Sequence, residues 1–160
     1  MNIGYETETV EFKKSTGELK EGVISLSSMM NKHANGTVYF GVKNNGDVVG
    51  QEIGDRTLRD ISQMIASSVK PQIIPTITLE LLDGNNVIKV EARGSEKPYS
   101  AFGKYYIRSA DEDRELSPAE LRRIMQENEN SDIIAIQPAD NQNLSFSQIK
   151  TLFATKGLTV

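Results

Sequence analysis

Apolar and polar positions along the first 130 residues follow two periods, and each change of period marks an element. In "ETETVEFKKS", residues 6 to 15, Val10 and Phe12 lie two apart. That spacing puts both on one face of a pleated strand, while Glu11 and Lys13 share the other. "STGELKEGVISLSSMMNKHANG" places Leu19, Val23, Leu26 and Met30 at helical intervals behind Ser15 and Glu18, which have the spacing of a capping box. Gly36 is the expected stop. "TVYFGV" reads as a strand, and Asn45-Gly46 in "NNGDVVG" as a tight hairpin turn into another.

A second helix is predicted over "GDRTLRDISQMIASSVKP", with Asp55 as N-cap, a stripe of Leu58, Ile61, Ile65 and Val69, and Pro71 as terminator. "IIPTITLELL" and "NVIKVEAR" flank Asp83-Gly84 as an antiparallel pair, and "KYYIRSA" adds a strand after the Pro98 loop. Ser117-Pro118-Ala119-Glu120 combines a capping serine, proline at the first helical position and glutamate at the third, which predicts a helix to about Glu127. The run "QENENSD" then reads as a linker. Further on, Phe146, Ile149, Leu152 and Phe153 recur at helical spacing with Gly157 as a stop, and the final "LTV" looks like the start of another strand.

The pattern predicts an α/β (α+β) fold: a mixed, largely antiparallel sheet with three or so helices. One domain is expected over residues 1–130. Residues 131–160 read as a linker and the start of a following domain. There is no internal repeat.

Composition narrows the chemistry. The chain has 160 residues, of which 38% are hydrophobic and 25% charged, ordinary values for a globular domain. With no cysteine there is no disulfide, no thiol nucleophile and no thiolate-held metal, which fits a reducing compartment. Apolar stretches are too short to cross a bilayer, and the N-terminus lacks a basic-then-apolar leader pattern, so the expected location is cytoplasmic, away from membranes. His33 is the single histidine, so no histidine pair is available for catalysis or zinc, and it reads as a cation or packing residue at a helix C-terminus. The "AFGKY" segment fails as a phosphate loop, because Pro98 and Tyr105 stand where a glycine and a hydroxyl residue are required.

The net charge of −4 is uneven. Residues 1–110 hold 13 basic and 13 acidic side chains, and the remaining residues 5 and 9. Any nucleic-acid surface is therefore local. Lys13 and Lys14 end the first strand, Lys32 and His33 end the first helix, Lys43 follows the central strand, and Arg108 shares a face with Tyr106 on a late strand. Gathered on one edge, these lysines and Arg108 would neutralise phosphates while Tyr105 or Tyr106 stacked on a base. Scattered, they are an ordinary solvated surface.

In order and spacing, "ETETVEFKKS", "MNKHANGTVYFGVKNNGDVVGQ", "GDRTLRDISQMI" and "KPYSAFGKYYIRSADEDRELSPAEL" resemble the Schlafen AlbA-like domain, over about residues 5 to 127. The resemblance implies a mixed α/β fold with a face that contacts nucleic acid, DNA in bacterial transcriptional regulators and RecG-like helicase-related proteins. There the domain often precedes an ATP-binding region, whose entry residues 140–160 would be. In the Schlafen branch the resemblance implies an endoribonuclease built on three carboxylates. Glu6 and Glu11 match two of them, Lys43 replaces the third, and Asp47 lies across the turn.

The leading expectation is a non-catalytic nucleic-acid-binding domain, with Lys13, Lys14, Lys32, Lys43, Tyr106 and Arg108 as contacts and no cofactor. A metal-dependent nuclease using Glu6 and Glu11 with magnesium or manganese is the alternative, and a protein-interaction or homodimerisation module is a third.

Overall fold

The computed structural model describes residues 1–136, with side chains through 128. The expected helix over Phe146 to Phe153, its stop at Gly157 and the further domain lie outside the described residues. Residues Met1–Leu121 form one compact unit, and a second begins at Arg122.

Among the described residues eight strands and three α-helices follow one another as β1 (Val10–Lys13), α1 (Leu19–His33), β2 (Asn35–Phe40), α2 (Thr57–Ser68), β3 (Val69–Lys70), β4 (Thr76–Leu82), β5 (Asn85–Arg93), β6 (Ser100–Ala101), β7 (Lys104–Ser109), β8 (Glu112–Glu115) and α3 (Pro118–Ile136). They make two four-stranded sheets rather than one, ordered β1-β2-β5-β4 and β3-β6-β7-β8. Only β1 and β2 run parallel; the other pairs are antiparallel.

α1 packs against both sheets, with β2 on one side and β7 on the other. Its apolar face meets β2 closely: a Cβ on Gly22 would lie 2.7 Å from the Phe40 ring. Its second face carries small polar residues at helical spacing, Ser25, Ser28 and Asn31, all buried and all bonded to the second sheet or its approach. Asn31 donates to the carbonyls of Tyr99 and Tyr106 and accepts from the Tyr99 N–H. The main core joins α1, α2 and the α1-facing side of the first sheet through Leu26, Met29, Val38, Phe40, Ile61, Ile65, Ile88 and Val90. On the opposite side of that sheet Phe12, Val42, Val48 and Val87 form a smaller cluster. β1 thus buries both faces, Phe12 on one and Glu11 on the other.

Several caps differ from the expected ones. Ser15 accepts from the Gly17 N–H and starts a 3-10 turn over Thr16–Glu18, and α1 follows from Leu19. Ala34, at φ 64°, ends α1 in the left-handed region with its N–H bonded to the Met30 carbonyl, so Gly36 is free to enter β2. Asp55 does not cap α2; Thr57 instead accepts from the Gly54 N–H through its hydroxyl. Val42 and Val48 pair through a single bridge, so the Asn45-Gly46 turn closes a hairpin with no second regular strand. The Ser117 and Glu120 capping box forms reciprocally, and α3 continues beyond Glu127 to Ile136, through the segment expected to be a linker. Among the described residues no helix is long and apolar enough to cross a membrane.

Candidate nucleic-acid interface and the carboxylate pair beside it

Glu6 and Glu11 have opposite parity, and a straight strand would point them to opposite faces. The chain brings them together because Glu6 precedes β1. Thr7 and Val10 close a tight turn, with the Thr7 N–H bonded to the Val10 carbonyl at 2.9 Å and the Thr9 N–H to the Thr7 hydroxyl at 3.1 Å. Glu6 is thereby folded back along the outer edge of β1, where its Oε2 accepts from the Phe12 N–H at 3.0 Å. Burial, helped by a proton shared with Glu11, pushes the Glu6 carboxyl up to about 7, against the opposing pull of the Phe12 N–H.

Glu11 is only 6% exposed. It faces two cations, Lys13 Nζ at 3.3 Å and Arg108 Nη2 at 2.7 Å. Arg108 comes from β7 and has no exposed side-chain surface. Its Nη2 also donates to the Thr7 and Val10 carbonyls, at 2.9 and 3.3 Å, and its Nη1 to Asp113 at 2.9 Å. Asp113 in turn accepts from the Ser25 and Ser28 hydroxyls of α1. The guanidinium therefore staples the turn that sets Glu6 beside Glu11. Among the described residues Glu11 Oε1 meets Arg108 Nη2 as an ion pair, and neither this oxygen nor Arg108 Nε has a hydrogen-bond partner.

The expected phosphate contacts separate into three groups. Arg108 is removed from solvent by its burial, and Lys13 is largely buried against Glu11. Lys32 lies at the end of α1 beside the β1 turn, where it and His33 bind Glu8 at 2.9 and 2.7 Å. With the Ala110 N–H they hold the Glu8 carboxyl down at about 2, Lys32 being the main cause. Tyr106 is half-buried on β7. Lys14 and Lys43 gather at the opposite end of β1, where with Glu18, Asn44 and Asn45 they line an open cleft of about 430 Å³. Gly41 and Val42 donate their N–H groups to the Lys13 carbonyl, which joins the ends of β1 and β2 beneath this cleft. Both lysines are exposed, and neither ammonium has an ion pair among the described residues.

A metal centre at the carboxylates does not fit this arrangement. Among the described residues no group of three or more histidines or carboxylates could hold an ion. Glu11 already faces two cations, and Lys43 is in the cleft rather than paired with Glu11. Asp47 does not compensate, because one of its oxygens accepts from Asn45 within the hairpin turn and the other from Asn2 of the N-terminal segment. Sequence reasoning missed Asp113, Ser25 and Ser28. The small polar residues of "ISLSSMMNK" at helical spacing were the available signal for a buried polar face.

The fold is similar to part of the DIP2311 protein of Corynebacterium diphtheriae, with a TM-score of 0.60 at 15% identity over 74% of this chain. The chain covers 24% of that protein. The N-terminal domain of a RecG-related protein from Nitrosomonas europaea matches with a TM-score of 0.42 at 17% identity, over 68% of this chain and 78% of that one. No curated protein matches the chain. Residues 6–117 match the family described as Schlafen, AlbA_2, a span that holds both sheets, the carboxylate pair and the lysine cleft. The chain belongs to the Schlafen AlbA_2 family.

Proposed function

We propose that this domain binds nucleic acid, DNA in the first instance, at the Lys14 and Lys43 cleft, and that it does so without cleaving it. The observation that carries the reading is the pairing pattern of the cations. Of the lysines and arginine named above, Lys13, Lys32 and Arg108 are engaged with carboxylates, whereas Lys14 and Lys43 face one open cleft unpaired. Ammonium groups in that state can neutralise phosphates without first breaking an internal ion pair. The side-chain amide of Asn44 adds a donor to phosphate or sugar oxygens and carries no sequence preference. Glu18 is the one carboxylate of the lining and limits how much anionic charge the cleft accepts.

Contacts of this kind release counterions, so affinity falls steeply with salt. For duplex DNA the Lys14→Ala, Lys43→Ala double variant should bind more weakly at low salt, with the slope of log K against log salt smaller by about 2. Fluorescence anisotropy titrations at several salt concentrations measure this. Identical slopes for the variant and the parent would exclude the cleft as the phosphate contact.

A further inference from the structure

The first sheet leaves one long edge open. β4 pairs with β5 along Thr76–Leu82, and among the described residues nothing pairs with its other side. Alternate residues of this seven-residue strand turn their N–H and C=O groups to the open side and template a further strand, and folded proteins ordinarily blunt such an edge with lysine, proline, a bulge or a covering loop. None of these interrupts β4. Pro75 and the Asp83-Gly84 turn bound it, and between them the sole charged side chain is Glu80. On one face of the strand Ile77 packs against the main core while Leu79 and Leu81 beyond it are exposed by 45% and 70%; Ile74, ahead of Pro75 and outside the strand, is exposed by 91%.

We infer that the free edge of β4 pairs antiparallel with the same strand of a second copy of this chain, making an eight-stranded sheet across a two-fold axis. The occupant is argued from the strand's own complementarity. With Leu79 on the axis, Leu79 faces Leu79 of the second copy and Ile77 faces Leu81, so the exposed apolar row continues across the interface on one face of the sheet. On the other face Thr78 meets Glu80, a hydroxyl opposite a carboxylate. Moving the axis to Glu80 would set two carboxylates directly opposite each other, which is destabilising. A slip by a single residue would instead place Ile77, Leu79 and Leu81 opposite the polar row, and the side-chain period of two forbids that. Isologous pairing about a two-fold axis closes after two copies, so the edge is consumed rather than propagated into a fibre.

The test uses the full chain in sedimentation equilibrium from low micromolar to several hundred micromolar. The expected result is a mass that doubles with concentration. Leu79→Lys and Leu79→Glu alter an exposed side chain, so each variant should fold like the parent by circular dichroism. Each places two like charges on the axis and should remain at monomer mass. Mixed in equal amounts, they should recover the doubled mass, because lysine then faces glutamate. A parent that stays monomeric throughout overturns the inference, whether a segment of its own chain or nothing at all covers β4. Single variants that dimerise as the parent does, or a mixture that fails to recover, overturn it as well.

Discussion

Glu6 keeps its proton at a pH where a solvated glutamate has lost it, and that links one side chain to the stability of the domain. Its folded-state value of about 7 lies above the ordinary 4.5. For a carboxyl with a raised value, the associated stability is fully present below 4.5 and is lost as pH rises through 7. Ionised Glu6 then sits beside Glu11. In Glu6→Gln the side-chain oxygen still accepts from the Phe12 N–H and the amide donates to Glu11 in place of the shared proton. Thermal unfolding should therefore show the variant close to the parent at pH 5 and more stable than the parent at pH 8. A parent whose advantage over the variant grows from pH 5 to pH 8 would reverse the sign and remove the shared proton. The convergence of the two glutamates was not legible in the sequence, for a specific reason. The turn that folds Glu6 back is Thr7-Glu8-Thr9-Val10, which has none of the Gly, Pro, Asn or Asp residues by which turns are recognised. It is closed partly by Arg108, 98 residues beyond Val10.

At the scale of elements, Arg108 joins pieces that local propensity does not hold. β8 reads Glu-Asp-Arg-Glu and has no apolar residue, and no hydrophobic period announces it. It is fixed by its ladder with β7 and by Asp113, which binds Arg108 and the two α1 serines. β3 and β6, two residues each, are equally silent. That is why the sequence pattern predicts one sheet where there are two, while the long amphipathic segments α1, α2, β4 and β5 appear close to where their periods put them. Breaking a buried ion network by removing one partner leaves charges uncompensated, at a cost of about 3–5 kcal/mol. Arg108→Met should destabilise by that order in urea unfolding, and far more than Arg114→Met, whose pair with Glu120 is exposed and screened by solvent. Equal losses from the two substitutions would mean that Arg108 is not the staple between the sheets.

For the whole molecule, the question is whether the carboxylate pair belongs to a catalytic centre or to the framework beneath the lysine cleft. A divalent ion that binds only the folded state must stabilise it, by about 2.7 kcal/mol at a hundredfold excess over Kd, and in a domain of this size that moves Tm by several degrees. Binding at Glu6 and Glu11 would require the ion to displace Lys13 or Arg108 from Glu11 and the proton from Glu6, and among the described residues no third histidine or carboxylate joins them in a group that could hold an ion, Asp113 being held by Arg108 and the α1 serines. Lys43→Asp would not supply that third ligand, since position 43 lines the cleft beyond the end of β2 rather than contacting Glu11. The expected outcome is that neither magnesium nor manganese raises Tm at pH 7.5 for the parent or for Lys43→Asp, and that neither protein cleaves structured RNA or single-stranded DNA with either ion. Lys43→Asp should nonetheless weaken DNA binding, because it reverses a charge in the cleft. A manganese-dependent rise in Tm that Glu11→Gln abolishes, accompanied by cleavage, would assign the pair to catalysis and make Lys14 and Lys43 the substrate-holding edge of a nuclease.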